Sequence, residues 1–380
     1  MNPSIPSGER RRIGVGVIGA SPSSPGWAVA AHIPAIRALP EFELVAVSTS
    51  RPESARAAAQ EFGVIAYHDS AELIADPRVE LVVVAVKVPH HHALVSAAIA
   101  AGKMVFSEWP LGVDLAQAVD LEEQARARGV RTFIGLQGRQ APAVRHARDL
   151  VRSGYLGDVL ATTLVGSGIA WGGVTDGAHA YMFNVANGAT TLTVPTLHAL
   201  DAVSFVLGEI ATVSAVLASR RSKVRVADTG QDVPVTAPDH VAVAATLQTG
   251  AVASVFYRGG VSRGDNLRWE INGTEGDLVL TSPIGNLQVA NLALHGGRGE
   301  QAGVAPIELP IAYATEPGGL SGDIGANVLR SYAAIARDLA DGTQRVPNFE
   351  DAVKRHRLVS MIELADASRR EQRQGDPERT

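Results

Sequence analysis

Four residues in a glycine-containing loop have the types and spacing to bind a dinucleotide. The stretch GASPSSPGWA, residues 19–28, follows the apolar run IGVGVI and precedes a segment with a helical composition. A glycine turn between a strand and a helix lets backbone N–H groups and the helix N-terminus approach a pyrophosphate. We therefore predict dinucleotide contacts from Gly19, Ser21, Gly26 and Trp27. The loop lacks the second glycine of a regular G-x-G-x-x-G, so a strand, turn and helix without a ligand is the alternative interpretation.

The end of the next apolar run indicates which dinucleotide is bound. The run ELVAVST leads into STSR, residues 48–51, where NAD-binding proteins usually carry a carboxylate for the ribose 2'-OH. Ser50 and Arg51 instead offer a hydroxyl group and a positive charge, which suit a 2'-phosphate. We predict NADP(H) as the cofactor, with NAD(H) as the alternative. An arginine solvated in a turn is the interpretation that involves no ligand.

The stretch FSEWPLG, residues 106–112, places an indole where a strand is predicted to end. Glu108 and Pro110 flank Trp109. An indole has one N–H donor, no acceptor and no usable acid–base pKa, so it positions a ring but does not transfer a proton.

Metal and thiol chemistry are not predicted. The chain has no cysteine, which excludes disulfides, thiolate metal sites and cysteine nucleophiles, so any redox chemistry must come from a cofactor. Three consecutive histidines, residues 90–92, would suggest a metal by composition. Consecutive side chains point in different directions and no acidic residues stand beside them, so we expect no metal site there.

The elements that position these residues fall into two groups. Up to about residue 140, apolar strands alternate with helices of 10 to 15 residues, a pattern that predicts a right-handed, doubly wound parallel sheet. After about residue 157, strands such as HVAVAATL and AVASVFYRG follow one another with little helix between them, which predicts an antiparallel sheet. Helices are expected again at 191–207, at 323–342 and near the C-terminus.

Length and composition agree with two domains in one soluble chain. At 380 residues the chain exceeds one typical core, and 46% hydrophobic and 19% charged residues describe a globular protein. A net charge of -5 favours neither nucleic acid nor a membrane surface as partner, and no apolar run is longer than a strand. We predict a cytoplasmic protein with a disordered N-terminus (1–12), a dinucleotide-binding domain (13–140), a second domain (141–370) and a polar tail (371–380).

Several motifs, taken in order, resemble the Gfo/Idh/MocA oxidoreductase family. They are GVGVIG, AAHIPAI at 30–36, AGKMVFSEWPLG at 101–112, FIGLQGR at 133–139, SGYLGDV at 153–159, HALD at 198–201 and INGTEGDLVL at 271–280. The loop ending in GW, the pair EW and LQGR are most similar to the Gal80-like branch, which includes a dinucleotide-binding regulator without known catalysis. The resemblance implies an N-terminal Rossmann domain with a doubly wound parallel sheet and a C-terminal α/β domain with an open, mostly antiparallel sheet. It also implies an active site between the two domains and homo-dimers or tetramers formed through the sheet faces.

The resemblance assigns further residues to the cofactor site. It implies contacts from Val88 and His91 after the fourth strand, from Glu108 and Trp109 after the fifth, and from Gln137 and Arg139 after the sixth. For Arg139, an anion or sugar contact and a salt bridge between domains are both open. Lys87 is the lysine that could approach the cleft, or it is a solvated residue at a strand end.

Two polar positions of the catalytic members are apolar in this chain. Those members carry Glu-Lys-Pro where this chain has Glu108-Trp109-Pro110, and an aspartate where this chain has Val194. Their histidine matches His198, for which a core histidine is the alternative interpretation.

Three functions remain open at this stage. The first is an oxidoreductase that uses His198 with Tyr181 or His179 as replacement proton donor, on a small carbonyl, imine or sugar-like substrate. Trp27, Trp109 and Trp171 favour a substrate with an apolar portion. The second is a dinucleotide-binding sensor without turnover, and the third is a non-redox use of the bound cofactor.

Overall fold

A computed structural model describes residues 11–23, 26–314, 324–369 and 372–373 of the chain. The predicted disordered N-terminus lies outside these ranges except for residues 11 and 12. The predicted polar tail lies outside them except for residues 372 and 373. Residues 24 and 25 of the glycine loop also fall outside the described ranges.

The N-terminal part forms a six-stranded parallel sheet. Continuous Val, Ile and Leu runs suit strands that are buried on both faces. The strands are β1 (Ile13–Ile18), β2 (Phe42–Ser48), β3 (Ile65–Tyr67), β4 (Leu81–Val84), β5 (Met104–Ser107) and β6 (Thr132–Ile134). Their order, β3-β2-β1-β4-β5-β6, is that of a doubly wound dinucleotide-binding fold, so the carboxyl ends of β1, β4 and β5 meet at one edge.

Helices cover both faces of this sheet. They are α1 (Ile33–Ala38), α2 (Pro52–Phe62), α3 (Ser70–Ala75), α4 (His91–Ala100) and α5 (Leu115–Arg128). A π-helical turn, Ala28–His32, leads directly into α1. Asp114 caps α5 by accepting the N–H of Gln117 at 2.9 Å, and Gly129 ends that helix with a φ of 62°. The strand predicted to reach Val88 stops at Val84, and Val88–His90 form a 3₁₀ turn around Pro89.

The second part is built on a nine-stranded mixed sheet within the described residues. Its order is β17-β16-β15-β14-β7-β13-β12-β9-β18, and the central pair β7 and β13 is parallel. A separate small sheet has the order β11-β10-β8. The strands are β7 (Val159–Gly168), β8 (Val174–Thr175), β9 (Ile210–Ala218), β10 (Lys223–Val226), β11 (Asp232–Pro234), β12 (His240–Leu247), β13 (Val252–Gly259), β14 (Leu267–Gly273), β15 (Gly276–Ser282), β16 (Ala293–Arg298), β17 (Ala305–Pro306) and β18 (Gln372–Arg373). The predicted fold class is confirmed.

Five α-helices follow β6 in the described part of the chain. They are α6 (Pro142–Arg152), α7 (Leu197–Leu207), α8 (Ile311–Ala314), α9 (Ala326–Asp341) and α10 (Phe349–Ser368). The apolar helix α7 is buried almost all round and follows a π-helical turn, Leu192–Thr196. Helix α9 packs into the core of the N-terminal sheet beside α1, although the sequence-based division assigns it to the second domain. Helix α10 lies between α5 and β9, so both parts share one continuous hydrophobic core.

Within the described ranges, no helix has the length and apolar character needed to cross a bilayer.

Candidate functional site

The glycine loop has the geometry of a dinucleotide-binding turn. Gly19 has a φ of 102°, and a Cβ built on it would lie 2.6 Å from the Ala85 carbonyl oxygen, so the position requires glycine. The N–H groups of Gly19 and Ala20 donate to the Ser48 carbonyl at 3.0 and 3.2 Å, which ties the loop to the end of β2. The helical segment then begins after Trp27, close to the carboxyl ends of β1 and β2. These features fit a bound pyrophosphate.

The remaining predicted loop residues surround this turn. The hydroxyl groups of Ser21 and Ser23 lie 3.2 Å apart, and the Gly26 carbonyl accepts from the N–H groups of Val29 and Ala30. Trp27 is half-buried beside the N-terminal core.

Arg51 lies exposed at the carboxyl end of β2. It is the N-cap of α2, and its carbonyl accepts the Ser54 hydroxyl at 2.9 Å. Its guanidinium makes no hydrogen bond or ion pair with the described residues, and the neighbouring Ser50 is also exposed. The guanidinium is therefore available to an anionic ligand.

Glu108 belongs to a buried chain of three polar side chains that sequence reasoning missed. Its Oε1 lies 3.0 Å from Nε2 of His32, and Nδ1 of His32 lies 2.9 Å from the hydroxyl of Tyr332. Burial, with a further contribution from the charge of Glu108, raises the pKa of Tyr332 well above its usual value, so its hydroxyl keeps its proton. An ionised Glu108 carboxylate only accepts, so the single N–H of a neutral His32 donates to Glu108 and Nδ1 of His32 accepts from Tyr332.

This chain holds Glu108 in a fixed position at the end of β5. A Cβ on Gly135 would lie 2.6 Å from Oε1 of Glu108, so glycine at this position permits the close approach. The carboxylate remains 12% exposed, which leaves it able to accept a hydrogen bond from a ligand at the strand ends. The motif AAHIPAI contains His32, but Tyr332 is 300 residues away along the chain.

Trp109 links the N-terminal part of the molecule to the second part. Its side chain is 5% exposed, and its Nε1–H donates to the Thr193 carbonyl at 2.6 Å. Its ring lies 4.6 Å, centroid to centroid, from the ring of His356 on α10. The peptide bond to Pro110 is cis. Because the only donor of the indole is already used, Trp109 has no hydrogen bond to offer a substrate.

The three consecutive histidines have different surroundings. His91 is buried, with Nδ1 2.8 Å from the Pro110 carbonyl and Nε2 3.0 Å from the Val86 carbonyl, and burial lowers its pKa. A neutral imidazole carries one N–H, so it donates to one of these carbonyls at a time. His92 lies 2.6 Å from Asp120, and His90 is exposed.

His198 lies at its matching position on α7, where it is sealed from solvent. The residue is 3% exposed, and its Nδ1 has no hydrogen-bond partner among the described residues. Burial lowers its pKa to about 4, against a smaller opposite effect of Asp201. The imidazole is therefore neutral at pH 7 and cannot act as a cationic acid there.

Arg139 makes an ion pair with the second part of the molecule. Its Nη2 and Nε donate to the carboxylate of Asp201 at 2.7 and 2.9 Å, and its Nη1 lies 3.4 Å from Asp351 on α10. Of the two interpretations left open for Arg139, the structure shows the salt bridge. Gln137, two residues earlier, is buried, and its Oε1 has no partner in the described part of the chain.

Lys87 and Tyr181 bring the two parts of the molecule into contact. The Lys87 ammonium nitrogen lies 4.9 Å from the centroid of the Tyr181 ring, so a residue that follows β4 contacts the loop after β8. Burial raises the pKa of Tyr181. Its hydroxyl makes no hydrogen bond with the described residues. His179, two residues earlier, is exposed and lies 2.8 Å from Asp176.

An apolar wall lies beside this contact. Val88, Trp171, Met182 and Ala189 form a small buried cluster, and the indole of Trp171 donates to the Ala189 carbonyl at 3.2 Å. Tyr181, Val113, Ala170 and Val194 pack against that cluster. The structure thus brings Val88, Trp171 and Tyr181 together and places His179 at the surface.

Two family models match this chain. The model described as oxidoreductase family, NAD-binding Rossmann fold, matches residues 13–136. The model described as Gal80p, C-terminal domain, matches residues 142–282. The first match covers the parallel sheet, and the second covers the strands from β7 to β15.

Full-length relatives include both a dehydrogenase and a regulator. The dehydrogenase aclE of Aspergillus oryzae is 32% identical over 373 residues, covering 93% of this chain and 95% of that protein. The galactose/lactose metabolism regulatory protein GAL80 of Saccharomyces cerevisiae is 28% identical over 367 residues, covering 90% of this chain and 84% of that protein. The crystal structure of a super-repressor mutant of Gal80p from Saccharomyces cerevisiae, 25% identical, covers 96% of this chain and 99% of its own, with a TM-score of 0.86. This chain belongs to the Gal80-like branch of the Gfo/Idh/MocA oxidoreductase family and carries its NAD-binding Rossmann fold.

Proposed function

We propose that the protein is an NADP(H)-dependent oxidoreductase in which Tyr181 transfers the proton. The observation that carries this proposal is the contact between Lys87 and Tyr181, which places a phenol O–H group and a cation next to each other. The similarity to the dehydrogenase aclE over nearly the whole chain supports it.

Each residue of the cleft has a separate task in this proposal. The bound nicotinamide supplies the hydride chemistry. The turn at Gly19 holds the pyrophosphate, Arg51 holds a 2'-phosphate, and Glu108 accepts a hydrogen bond from the cofactor or the substrate. His198, sealed from solvent and neutral at pH 7, takes no part in proton transfer.

Tyr181 is suited to donate a proton during reduction. Burial raises the pKa of Tyr181, so the phenol is protonated at neutral pH. When its proton moves to the substrate oxygen or nitrogen, a phenolate forms beside Lys87, whose positive charge stabilises it. The proposed direction under neutral conditions is therefore the reduction of a carbonyl or an imine.

The wall of the cleft favours a substrate with an apolar portion. Tyr181 and Val194 pack against the buried Val88, Trp171 and Met182, so hydrocarbon and indole groups back this wall. A free polyol would leave its hydroxyl groups without partners against this surface, which costs free energy. We therefore favour a small carbonyl or imine compound with an apolar group over a sugar.

A binding and turnover screen tests the proposal. NADP(H) and NAD(H) are titrated by fluorescence, and NADPH oxidation is then followed by absorbance with ketones, aldehydes, imines and sugars. We expect turnover with an apolar carbonyl or imine, and a fall in kcat of about tenfold in Lys87→Met because the phenolate loses its cation. The control Lys354→Met removes an exposed lysine that pairs with Glu350 on α10, and it leaves kcat unchanged.

A second candidate function is a dinucleotide-binding regulator without turnover. It is favoured because the positions that carry polar catalytic groups in other family members have no free polar group here. Trp109 has its donor occupied, His198 is buried and neutral, and Val194 is packed in an apolar cluster. The similarity to GAL80 agrees with this candidate. Tight dinucleotide binding without turnover across the whole screen would support the regulator and contradict the oxidoreductase.

We also propose that the protein forms a homo-dimer or tetramer through the outer face of the large sheet. The helices cover the opposite face. His240 and Arg258 stand at one end of the outward face of β9, β12 and β13, and seven of the other outward positions carry small or apolar side chains. They are Ser214, Val216, Ala242, Ala244, Val252, Ser254 and Phe256. Val216 and Val252 are 50% and 57% exposed in the single chain. Val216→Arg together with Val252→Arg is expected to give a monomer in sedimentation experiments, and an unchanged oligomer would contradict this interface.

A further inference from the structure

A cavity of about 310 Å³ lies beside Trp109, where α5, β9 and α10 meet. Its lining comes from the start of α5, the loop before α7, the end of β9 and one side of α10. Lys87, Val88, Tyr181 and His198 are not among its lining residues. The cavity therefore lies apart from the contact between Lys87 and Tyr181, although Val113 borders both.

The cavity touches the two groups that hold Trp109. His356 lines it and packs its ring against the Trp109 indole. Thr193 also lines it, and the Thr193 carbonyl accepts the indole N–H. A molecule bound here would contact both residues that fix the position of Trp109.

His356 offers an unused ring nitrogen in this region. The residue is 3% exposed, and its Nε2 is buried without a hydrogen-bond partner among the described residues. Burial lowers its pKa to about 3, so the imidazole is neutral at pH 7 and one of its nitrogens carries a free lone pair. A buried polar group without a hydrogen-bond partner costs free energy, and a ligand that forms that hydrogen bond removes the cost.

The other polar groups of the cavity also accept hydrogen bonds. Ser219 already donates its hydroxyl hydrogen to the Ala237 carbonyl at 3.1 Å, which leaves its lone pairs free. Asp114 uses Oδ1 to cap α5 and keeps Oδ2 unused. Glu363 stands at the mouth, where it reaches solvent but makes no hydrogen bond or ion pair with the described residues. Desolvation by the surrounding protein raises the pKa of Glu363.

We propose that this cavity binds a small organic ammonium ion with an apolar body. No lysine or arginine is among its lining residues, while two carboxylates and a neutral imidazole are, so the polar side favours a positive charge and N–H donors. Leu115, Leu192, Leu217 and Val359 supply apolar surface for the body of the molecule. The volume lies at the lower end of the range of small-molecule sites, roughly 300 to 1,000 Å³.

Calorimetric titration with three molecules of one shape tests the charge preference. Cyclohexylamine is cationic at neutral pH, cyclohexanol is neutral and cyclohexanecarboxylate is anionic. We expect cyclohexylamine to bind most tightly and cyclohexanecarboxylate least tightly. Equal affinity for the three molecules, or no measurable binding of the amine, would overturn the proposal.

Two variants with a matched control locate the site. Glu363→Gln removes the charge at the mouth and is expected to weaken cyclohexylamine binding by about fivefold, since a partly exposed ion pair is worth up to about 1 kcal/mol. Ser219→Phe fills the cavity and is expected to abolish binding. Glu61→Gln changes an exposed carboxylate on α2 and is expected to leave the affinity unchanged.

The same three variants can also show that the amine does not bind in this cavity. An affinity that is unchanged in Glu363→Gln, or reduced equally in Glu61→Gln, would show that the amine binds elsewhere. The heat of binding is measured without turnover, so a failure of the proposed oxidoreductase activity leaves this test unaffected.

Discussion

Replacing Trp109 by phenylalanine should destabilise the protein by about 2 to 3 kcal/mol. The change removes the hydrogen bond from Nε1 to the Thr193 carbonyl, 2.6 Å long and fully buried. A buried carbonyl left without its partner costs roughly 1 to 3 kcal/mol. The smaller ring also gives up part of the contact with His356, worth about 1 kcal/mol by the apolar area lost.

The assay is urea unfolding followed by circular dichroism, with Trp269→Phe as the matched control. Trp269 is completely buried in the large sheet, and its Nε1 donates to the Thr162 hydroxyl at 2.8 Å. Both variants lose one indole donor from a buried site, so we expect losses in the free energy of unfolding that agree within about 1 kcal/mol. If the free energy of unfolding is unchanged in Trp109→Phe but clearly lower in Trp269→Phe, the contact of Trp109 with the second part of the molecule does not stabilise the fold, which would refute this reasoning.

Three further predictions concern the cofactor site and the buried histidines. Arg51→Ala should raise the Kd for NADP by about tenfold, because a charge-assisted contact to the 2'-phosphate is lost, and should leave the Kd for NAD unchanged in the same fluorescence titration. An unchanged NADP affinity would remove the argument for a 2'-phosphate site. Trp109→Lys should alter the dinucleotide Kd by less than about twofold, since the indole is committed to Thr193; lost binding would place residue 109 in the cofactor site. Finally, the free energy of unfolding should fall as the pH drops below about 6.5. His198 and His356 become protonated in the unfolded chain, whereas burial holds their pKa values in the folded protein at about 4 and about 3. His356→Gln should flatten this dependence in urea unfolding measured between pH 7 and pH 4, and an equally steep dependence would contradict a buried neutral His356.

The alternation of strands and helices was enough to predict the fold. Continuous apolar runs such as LVVV and IGVGVI indicate buried parallel strands without further information. The ends of helix α5 are marked by local capping residues, Asp114 and Gly129. Helix α9 could not be placed in the same way. Its return to the N-terminal core depends on packing between segments that are far apart in sequence.

The candidate site was predicted less completely because its contacts are long-range. The chain from Glu108 through His32 to Tyr332 joins residues separated by 76 and 300 positions. The choice between a ligand contact and a salt bridge for Arg139 depended on the position of Asp201, 62 residues away. The sequence could indicate that His198 matched a family position, but its burial and lowered pKa are properties of the folded core.

The most direct test of the proposed activity is the effect of Tyr181→Phe on NADPH oxidation. The substrate is the carbonyl or imine compound that gives turnover in the screen, and the dinucleotide Kd is measured in parallel. We predict a fall in kcat of roughly 10²- to 10⁴-fold, the usual contribution of a positioned acid, with an unchanged Kd for NADPH. Equal kcat values for the wild type and Tyr181→Phe would contradict proton transfer by Tyr181.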